Sequence, residues 1–231
     1  FGPGEHGGTI STDLGVVCVL IVRPDCQRDE VATGLLQAVE AYLAERGATI
    51  VYGGGLRPLN PFYTGLYGGS ELPGVLQSDE SAQSVFREQG YQEVDRVLIF
   101  RGDLRRFQAP IDRKQLVLRR KMLVRTEAAP RFRTWWEACT MGDFDLTRFE
   151  IAPRGGGPSV GHVTMRSMDP LGAPEPTRAA GIVEMFVEPA HRRQGYTKFM
   201  LTEAFRYLVR QDIHVVEAQT IEHNVASVRL F

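Results

Sequence analysis

The chain has 231 residues, 43% of them hydrophobic and 24% charged, enough apolar content for one or two packed cores in a water-soluble chain. Its 27 basic and 28 acidic residues leave a net charge of −1, which gives no global attraction to nucleic acid or to an anionic membrane. The longest apolar run, Gly15 to Val22, is too short to span a bilayer, and three cysteines without paired spacing suit a reducing cytoplasm and form neither a disulfide framework nor, with the five histidines, a zinc pattern.

In chain order, Leu14 to Val22 reads as an apolar strand with Cys18 as a core filler. Val31, Leu35, Val39 and Leu43 recur at helical spacing and predict one buried helix face, and Gly47 stops that helix. Ala48 to Tyr52 is the next strand. Asn60 to Gly69 is rich in glycine, proline and aromatics, which marks a loop with rigid, adhesive side chains. Asp79 to Phe86 is a short helix, Gly90-Tyr91 a corner, and Val94 to Phe100 a strand. Pro110 to Arg125 reads as a junction. Its basic groups, Arg113-Lys114 and Arg119-Arg120-Lys121, fit a solvated linker or a strand with exposed arginines. Arg131 to Asp145 predicts a helix that opens a second domain. The adjacent Trp135 and Trp136 cannot face one side of it, so one is core and the other lines a cleft or an interface. Phe149 to Ile151 and Ser159 to Met165 are strands joined by a turn from Arg154 to Pro158, and a loop over 170–175 leads to a buried strand, Gly181 to Val187.

That strand runs into the basic turn Arg192, Arg193, Gln194, Gly195, Tyr196, Thr197 and then an amphipathic helix. A helix N-terminus presents unpaired N–H groups and a partial positive charge, and so receives phosphate. Two arginines add forked donors, and Gly195 lets the backbone approach a ligand without a Cβ between. The bland alternative is a charged, solvated helix start. The order of strand, turn and helix resembles the acetyl-CoA signature of the GNAT N-acetyltransferase superfamily: Arg or Gln, two residues of any kind, Gly, any residue, then Gly or Ala. Thr197 departs from that pattern at its last position. Downstream, Val215 to Thr220 reads as a strand and Asn224 as a helix N-cap. The segment Asn224 to Phe231 resembles the second signature of the same family, an Asn followed by Ala or Ser and then Leu-Tyr.

The chain also repeats itself. Val22 to Ala32 aligns without a gap with Val187 to Thr197, and Asp79 to Phe86 with Asn224 to Phe231. The first copy carries Asp29 and Glu30 where the second has Gln194 and Gly195, and two carboxylates repel a pyrophosphate. The resemblance thus implies a tandem GNAT protein of mixed α/β class, each copy a central, mostly antiparallel sheet with flanking helices. The expected division is a degenerate GNAT-like half over 1–109, a junction over 110–130, and a domain with an intact acetyl-CoA signature over 131–231. Both copies lack strands that the family has, so the chain is expected to be the back of one domain joined to the front of another. The two partial copies complete a single core or leave edges for a homodimer to cover.

What the resemblance implies about chemistry follows. Acetyl-CoA is the acyl donor and no metal is required. Amides near Met185, Phe186 and Val187 meet the pantetheine and the thioester carbonyl, Arg192 to Thr197 hold the pyrophosphate, and Asn224 touches the pantetheine arm. A primary amine, from a small molecule or a peptide, attacks the thioester directly. It must first lose a proton, for which Glu184 is the candidate base; Glu217 and His162 are weaker ones. Phe231, and Phe86 in the first copy, stand where the family often places a tyrosine acid. Phe62, Tyr63 and Tyr67 are candidates to line the acceptor pocket. The alternative function is a non-catalytic acyl-CoA-binding or protein-interaction module. A generic nucleotide binder lacks support, since no Gly-Lys-Ser/Thr loop is present. Neither a nucleic-acid nor a membrane partner is expected.

Overall fold

The computed structural model of the chain describes residues 1–26, 28–55, 59, 69–71, 74–110, 112–168 and 178–231. Most of the aromatic insert, including Phe62, Tyr63 and Tyr67, and the loop over 170–175 lie outside the described residues. In chain order the elements are β1 (Gly2–Pro3), β2 (Ile10–Ser11), β3 (Leu14–Val17), α1 (Arg28–Glu45), β4 (Ile50–Gly53), α2 (Glu80–Glu88), β5 (Val97–Asp103), α3 (Arg113–Lys121), β6 (Met122–Ala128), α4 (Trp135–Met141), β7 (Leu146–Pro153), β8 (Gly161–Ser167), β9 (Ala179–Val187), α5 (Tyr196–Arg210), β10 (Val215–Ile221) and α6 (Val225–Val228). They form two compact units, one of Phe1–Val97 with Phe132–Asp143, the other of Leu98–Arg131 with Phe144–Phe231.

In the first unit β3 and β4 pair in parallel, from Leu14 opposite Ile50 to Val17 opposite Gly53, with α1 as the crossover. Parallel neighbours need such a connection, which sets their order in the chain. Gly47, at φ 97°, ends α1 as predicted: its N–H donates to the Ala44 carbonyl and that of Ala48 to the Leu43 carbonyl, the paired bonds of a Schellman stop. Of the predicted buried face of α1, only Leu43 is buried. Leu36 is fully buried while Leu35 is 44% exposed, and the core is Val17, Ala32, Leu36, Val85 and Phe86. Two apolar stripes overlap on this helix, and periodicity does not choose between them. Ala32 and Leu36 face the strand and α2; Val31, Leu35 and Val39 are exposed. The helix predicted over Arg131 to Asp145 forms as α4. It belongs to this unit, where Gly7 approaches the Thr134 side chain, and buries Trp136 while Trp135 stays exposed.

The second unit is built on a six-stranded sheet in the order β5-β10-β9-β8-β7-β6. The ladders β6–β7, β7–β8 and β8–β9 are antiparallel; β9–β10 is parallel, with α5 as crossover. The strand expected at Val94 to Phe100 as an element of the first copy starts at Val97 and lies beside β10 in this sheet. It covers an edge that would otherwise expose a row of backbone groups. Part of the expected junction is also structured. Asp112 caps α3 by accepting from the Gln115 N–H at 2.8 Å, and Gln115 and Leu118 are buried, so the basic cluster is one side of a helix.

Strand alternation gives this sheet two unlike faces. Phe149, Ile151, Val163, Met165, Ala180, Ile182, Val216 and Ala218 form the apolar face and pack with Phe199, Met200, Ala204 and Leu208 of α5. The register puts Arg148, Glu150, His162, Thr164, Arg166, Glu184 and Glu217 on the other. Arg148, Thr164, Arg166 and Glu217 are buried there. Buried charges persist where they are paired, so this face is built around mutual neutralisation. α5 ends on Asp212 at φ 60°, with N–H bonds from Asp212 to the Val209 carbonyl and from Ile213 to the Leu208 carbonyl. This is the same stop that closes α1.

Candidate active site

The site develops where β9 leaves β10. Their ladder runs from Ala179 opposite Val215 to Ile182 opposite Ala218 and ends there. One residue later the β8–β9 register shifts: Thr164 pairs with Glu184 but Met165 with Ile182, so Val183 is an inserted residue. A bulge of this kind bends its strand and re-aims the side chains after it. Beyond it, Glu184 and Phe186 share a face with His162 and Thr164, and Met185 packs on the apolar core. Gly161 opposes Val187, and a Cβ there would lie 2.6 Å from the Phe186 carbonyl oxygen, so only glycine fits.

Glu184 stands at the centre of a charge cluster. Its Oε2 is 3.1 Å from His162 Nε2 and 3.7 Å from an Arg148 guanidinium nitrogen. Arg148 donates through Nε to Thr164 Oγ1 at 3.1 Å, which fixes the guanidinium along the sheet. The His162 contact is a close approach and not an aligned hydrogen bond. Farther along the same face, Arg166 lies over the Phe144 ring at 4.4 Å. Burial lowers the pKa of Arg166, and the negative charge of Glu217 opposes that shift. The residue between these two across the ladder is Gly181, which puts no side chain in their way. Glu217 accepts from Gln219 Nε2 at 3.2 Å.

At the far end of β9 the chain turns through a short 3-10 segment, Pro189–His191, into α5. Arg193 has φ 60° and Gly195 φ 87°. Left-handed residues at a helix start bring successive backbone N–H groups to one side, a concavity suited to an anion. Gly195 is the N-cap and has no side chain with which to satisfy the first N–H groups of α5. Arg192 turns back and donates through Nε to the Val187 carbonyl at 3.0 Å, tying turn to strand, while Arg193 is exposed. Gln194 donates to the Ala190 carbonyl at 2.9 Å, and Tyr196 packs edge-on to His191 with ring centroids 5.7 Å apart. Asn224 caps α6, accepting from the Ser227 N–H at 3.2 Å; Asp79 caps α2 in the same way from Ala82 at 3.1 Å. Phe231 lies 5.7 Å from Phe100, ring to ring, and packs half-buried against the apolar core.

Among the described residues, no cluster of three or more histidine, cysteine or carboxylate side chains could hold a metal ion, and no helix is long and apolar enough to cross a membrane.

The mixed α/β architecture, with a central, mostly antiparallel sheet, a parallel split at its bulged strand and flanking helices, is the GNAT fold. Residues 120–231 match the sequence profile described as the Acetyltransferase (GNAT) family. No curated protein matches the chain. Three solved structures are similar to it in fold. A tandem GNAT protein from the clavulanic acid biosynthesis pathway has TM-score 0.64 at 13% identity, over 94% of this chain and 70% of that one. A GCN5-related glucosamine N-acetyltransferase region of a fungal multi-domain GH3 β-N-acetylglucosaminidase has TM-score 0.63 at 17% identity, over 87% of this chain and 26% of that one. A GCN5-related N-acetyltransferase from Sphaerobacter thermophilus has TM-score 0.54 at 15% identity, over 87% of this chain and 62% of that one.

The sequence singled out the turn and Glu184; the structure sets Arg148 beside Glu184 and Lys114 beside Gly195, neighbours the sequence did not single out. Arg148 alternates with Phe149 and Ile151 along β7 and is buried on the other face, which its residue type did not announce. The side chain of Lys114 rests on Gly195: its Cδ and Cε lie 3.4 Å from where a Gly195 Cβ would be. No local pattern marked that contact, because the two lie 81 positions apart in the chain.

Proposed function

We propose that the second unit is an acetyl-CoA-dependent N-acetyltransferase that transfers acetyl to a primary amine, and that the first unit is a degenerate copy. The observation that carries this reading is the position of two features on one strand. β9 bears the Glu184 cluster just after its bulge and delivers the chain into the uncapped, left-handed turn at Gly195. The parallel strand pair, crossover helix, Schellman stop and capped short helix occur in both units, which supports the tandem reading. In the first unit Asp29 and Glu30 occupy the first turn of α1, where their charges oppose a phosphate.

The residues fit such a donor. The first N–H groups of α5, with Arg193, bind the pyrophosphate; Arg192 and Gln194 hold the turn in shape, and Tyr196 and Thr197 supply its first helical amides. Met185 to Val187 offer backbone on the side where the β10 ladder has ended, and Asn224 lines the pantetheine side. Acetyl-CoA supplies the acetyl group as a thioester. Glu184, oriented by Arg148 and adjacent to His162, takes the proton that the attacking ammonium must lose. An amide of β9 donates to the carbonyl oxygen as charge develops on it. Phe231, half-buried against the core, has no proton to give, so the thiolate leaves unaided; thiols ionise near pH 8.5, which makes this leaving group adequate.

Phe231 also favours a second reading, an acyl-CoA-binding module without turnover. Calorimetric titration of acetyl-CoA followed by a screen of amines for release of free CoA thiol separates the two. One site per chain with thiol release supports the enzyme; one site without release for any amine class supports the module; no binding overturns both.

A further inference from the structure

We propose that Lys114, on the first turn of α3, is a phosphate-binding residue of the turn at Arg192 to Thr197 and neutralises the pyrophosphate of the acyl-CoA. The inference rests on the acyl-CoA reading of that turn. Lys114 lies ahead of the segment 120–231 that matches the GNAT profile, so the family likeness does not assign it.

Three contacts fix the geometry. The Lys114 stem passes over Gly195, with Cδ and Cε 3.4 Å from the position a Cβ would take, and Leu118 Cδ1 lies 3.7 Å from the same point. Leu118 is buried in the core with Phe199 and Met200 of α5, so α3 is anchored against the helix whose N-terminus forms the turn. Asp112, the cap of α3, reaches Lys198 Nζ at 3.3 Å and ties the two helix starts together. The ammonium of Lys114 is one bond beyond Cε and therefore lies close to Gly195, at the start of α5. The nearby carboxylate, Asp112, is engaged by Lys198 and by the Gln115 N–H.

The chemistry agrees with the placement. A helix N-terminus contributes only about half an elementary charge, and Arg192 spends one donor on the Val187 carbonyl. A diphosphate bound there needs further cations, and a lysine on an adjacent rigid helix supplies one as a point charge without backbone movement. Gly195 serves both requirements: it takes the left-handed backbone and leaves room for the lysine stem.

The test uses acetyl-CoA and its 3′-dephospho derivative, titrated into wild type, Lys114→Met, Lys114→Gln and Lys114→Arg. Methionine keeps the stem and removes the charge, so it should weaken both ligands to the same extent, roughly tenfold. Glutamine should do the same, and arginine should restore most of the affinity. Because Lys114 is exposed, melting temperatures should not move. Unchanged affinity in Lys114→Met and Lys114→Gln would overturn the proposal, as would a loss confined to the 3′-phosphorylated ligand, which would put the lysine on the ribose phosphate. Absence of binding to wild type is a different result: it removes the acyl-CoA reading, and this proposal with it.

Discussion

Replacement of Gly195 by alanine and by glutamate separates backbone from charge at the turn. At φ 87° any side chain is strained, which costs about 1–2 kcal/mol. The added Cβ meets the flexible Lys114 stem at 3.4 Å and Leu118 Cδ1 at 3.7 Å, both ordinary contacts, so little is added to that figure. Gly195→Ala should lower the melting temperature by about 2–4 °C for each kcal/mol in a chain of this size, with a modest loss of acetyl-CoA affinity. Gly195→Glu carries the same strain and places a carboxylate beside the bound phosphates. A like-charge pair at about 4 Å costs about 1 kcal/mol in water and about 4 kcal/mol at the effective dielectric of a protein surface. Lys114 offsets part of this, so the expected loss is about ten- to hundredfold beyond that of Gly195→Ala, at about 1.4 kcal/mol per decade. Calorimetry gives the affinities and a thermal melt confirms folding. A folded Gly195→Glu protein that binds acetyl-CoA within about twofold of Gly195→Ala would refute the assignment, because no pyrophosphate could then sit at this turn.

Glu184→Gln should reduce acetyl transfer by about 10²- to 10⁴-fold while leaving acetyl-CoA affinity intact; steady-state kinetics set beside calorimetry would expose an equal effect on both, which is the signature of misfolding. Gly161→Ala forces a methyl to within 2.6 Å of the Phe186 carbonyl oxygen, backbone that cannot turn aside. It should destabilise the second unit by about 1–3 kcal/mol and weaken acetyl-CoA as β9 shifts, both visible in ligand-dependent melts. The Asp103 carboxyl is held down at about 2, against its ordinary 3.8, first by the side-chain hydrogen bonds of Arg105. A depressed carboxylate stabilises the fold above its unfolded pKa and loses that contribution as pH falls through the folded one. Asp103→Asn should therefore flatten the acid limb of stability between pH 4 and 2, and an unchanged acid limb in that variant would contradict the assignment.

Several features were legible in the residues themselves. Gly47 announced the stop of α1, Asn224 announced a cap, and the strand-turn-helix order around Arg192 to Thr197 was readable from residue type alone. These are local effects, set by φ, by one side-chain oxygen or by a few successive N–H groups, so they survive in any tertiary setting. The segments holding Phe149, Val163 and Met165 were also readable as strands.

Tertiary structure alone settled the remainder. Whether α1 buried Leu35 or Leu36 depended on which stripe met Val17, Val85 and Phe86, not on helical period. The strand from Val97 to Asp103 paired with β10 because that edge was open, a fact about the sheet and not about the strand. Glu184, Arg148 and His162 lie on three strands, and it took antiparallel registers and the bulge at Val183 to bring their charges together. Lys114 reached Gly195 only because Leu118 and Asp112 docked α3 against α5. The sequence by itself determined which backbone shapes and charges were available; long-range pairing decided which of them became neighbours, because that choice is made by burial and edge satisfaction across the whole sheet.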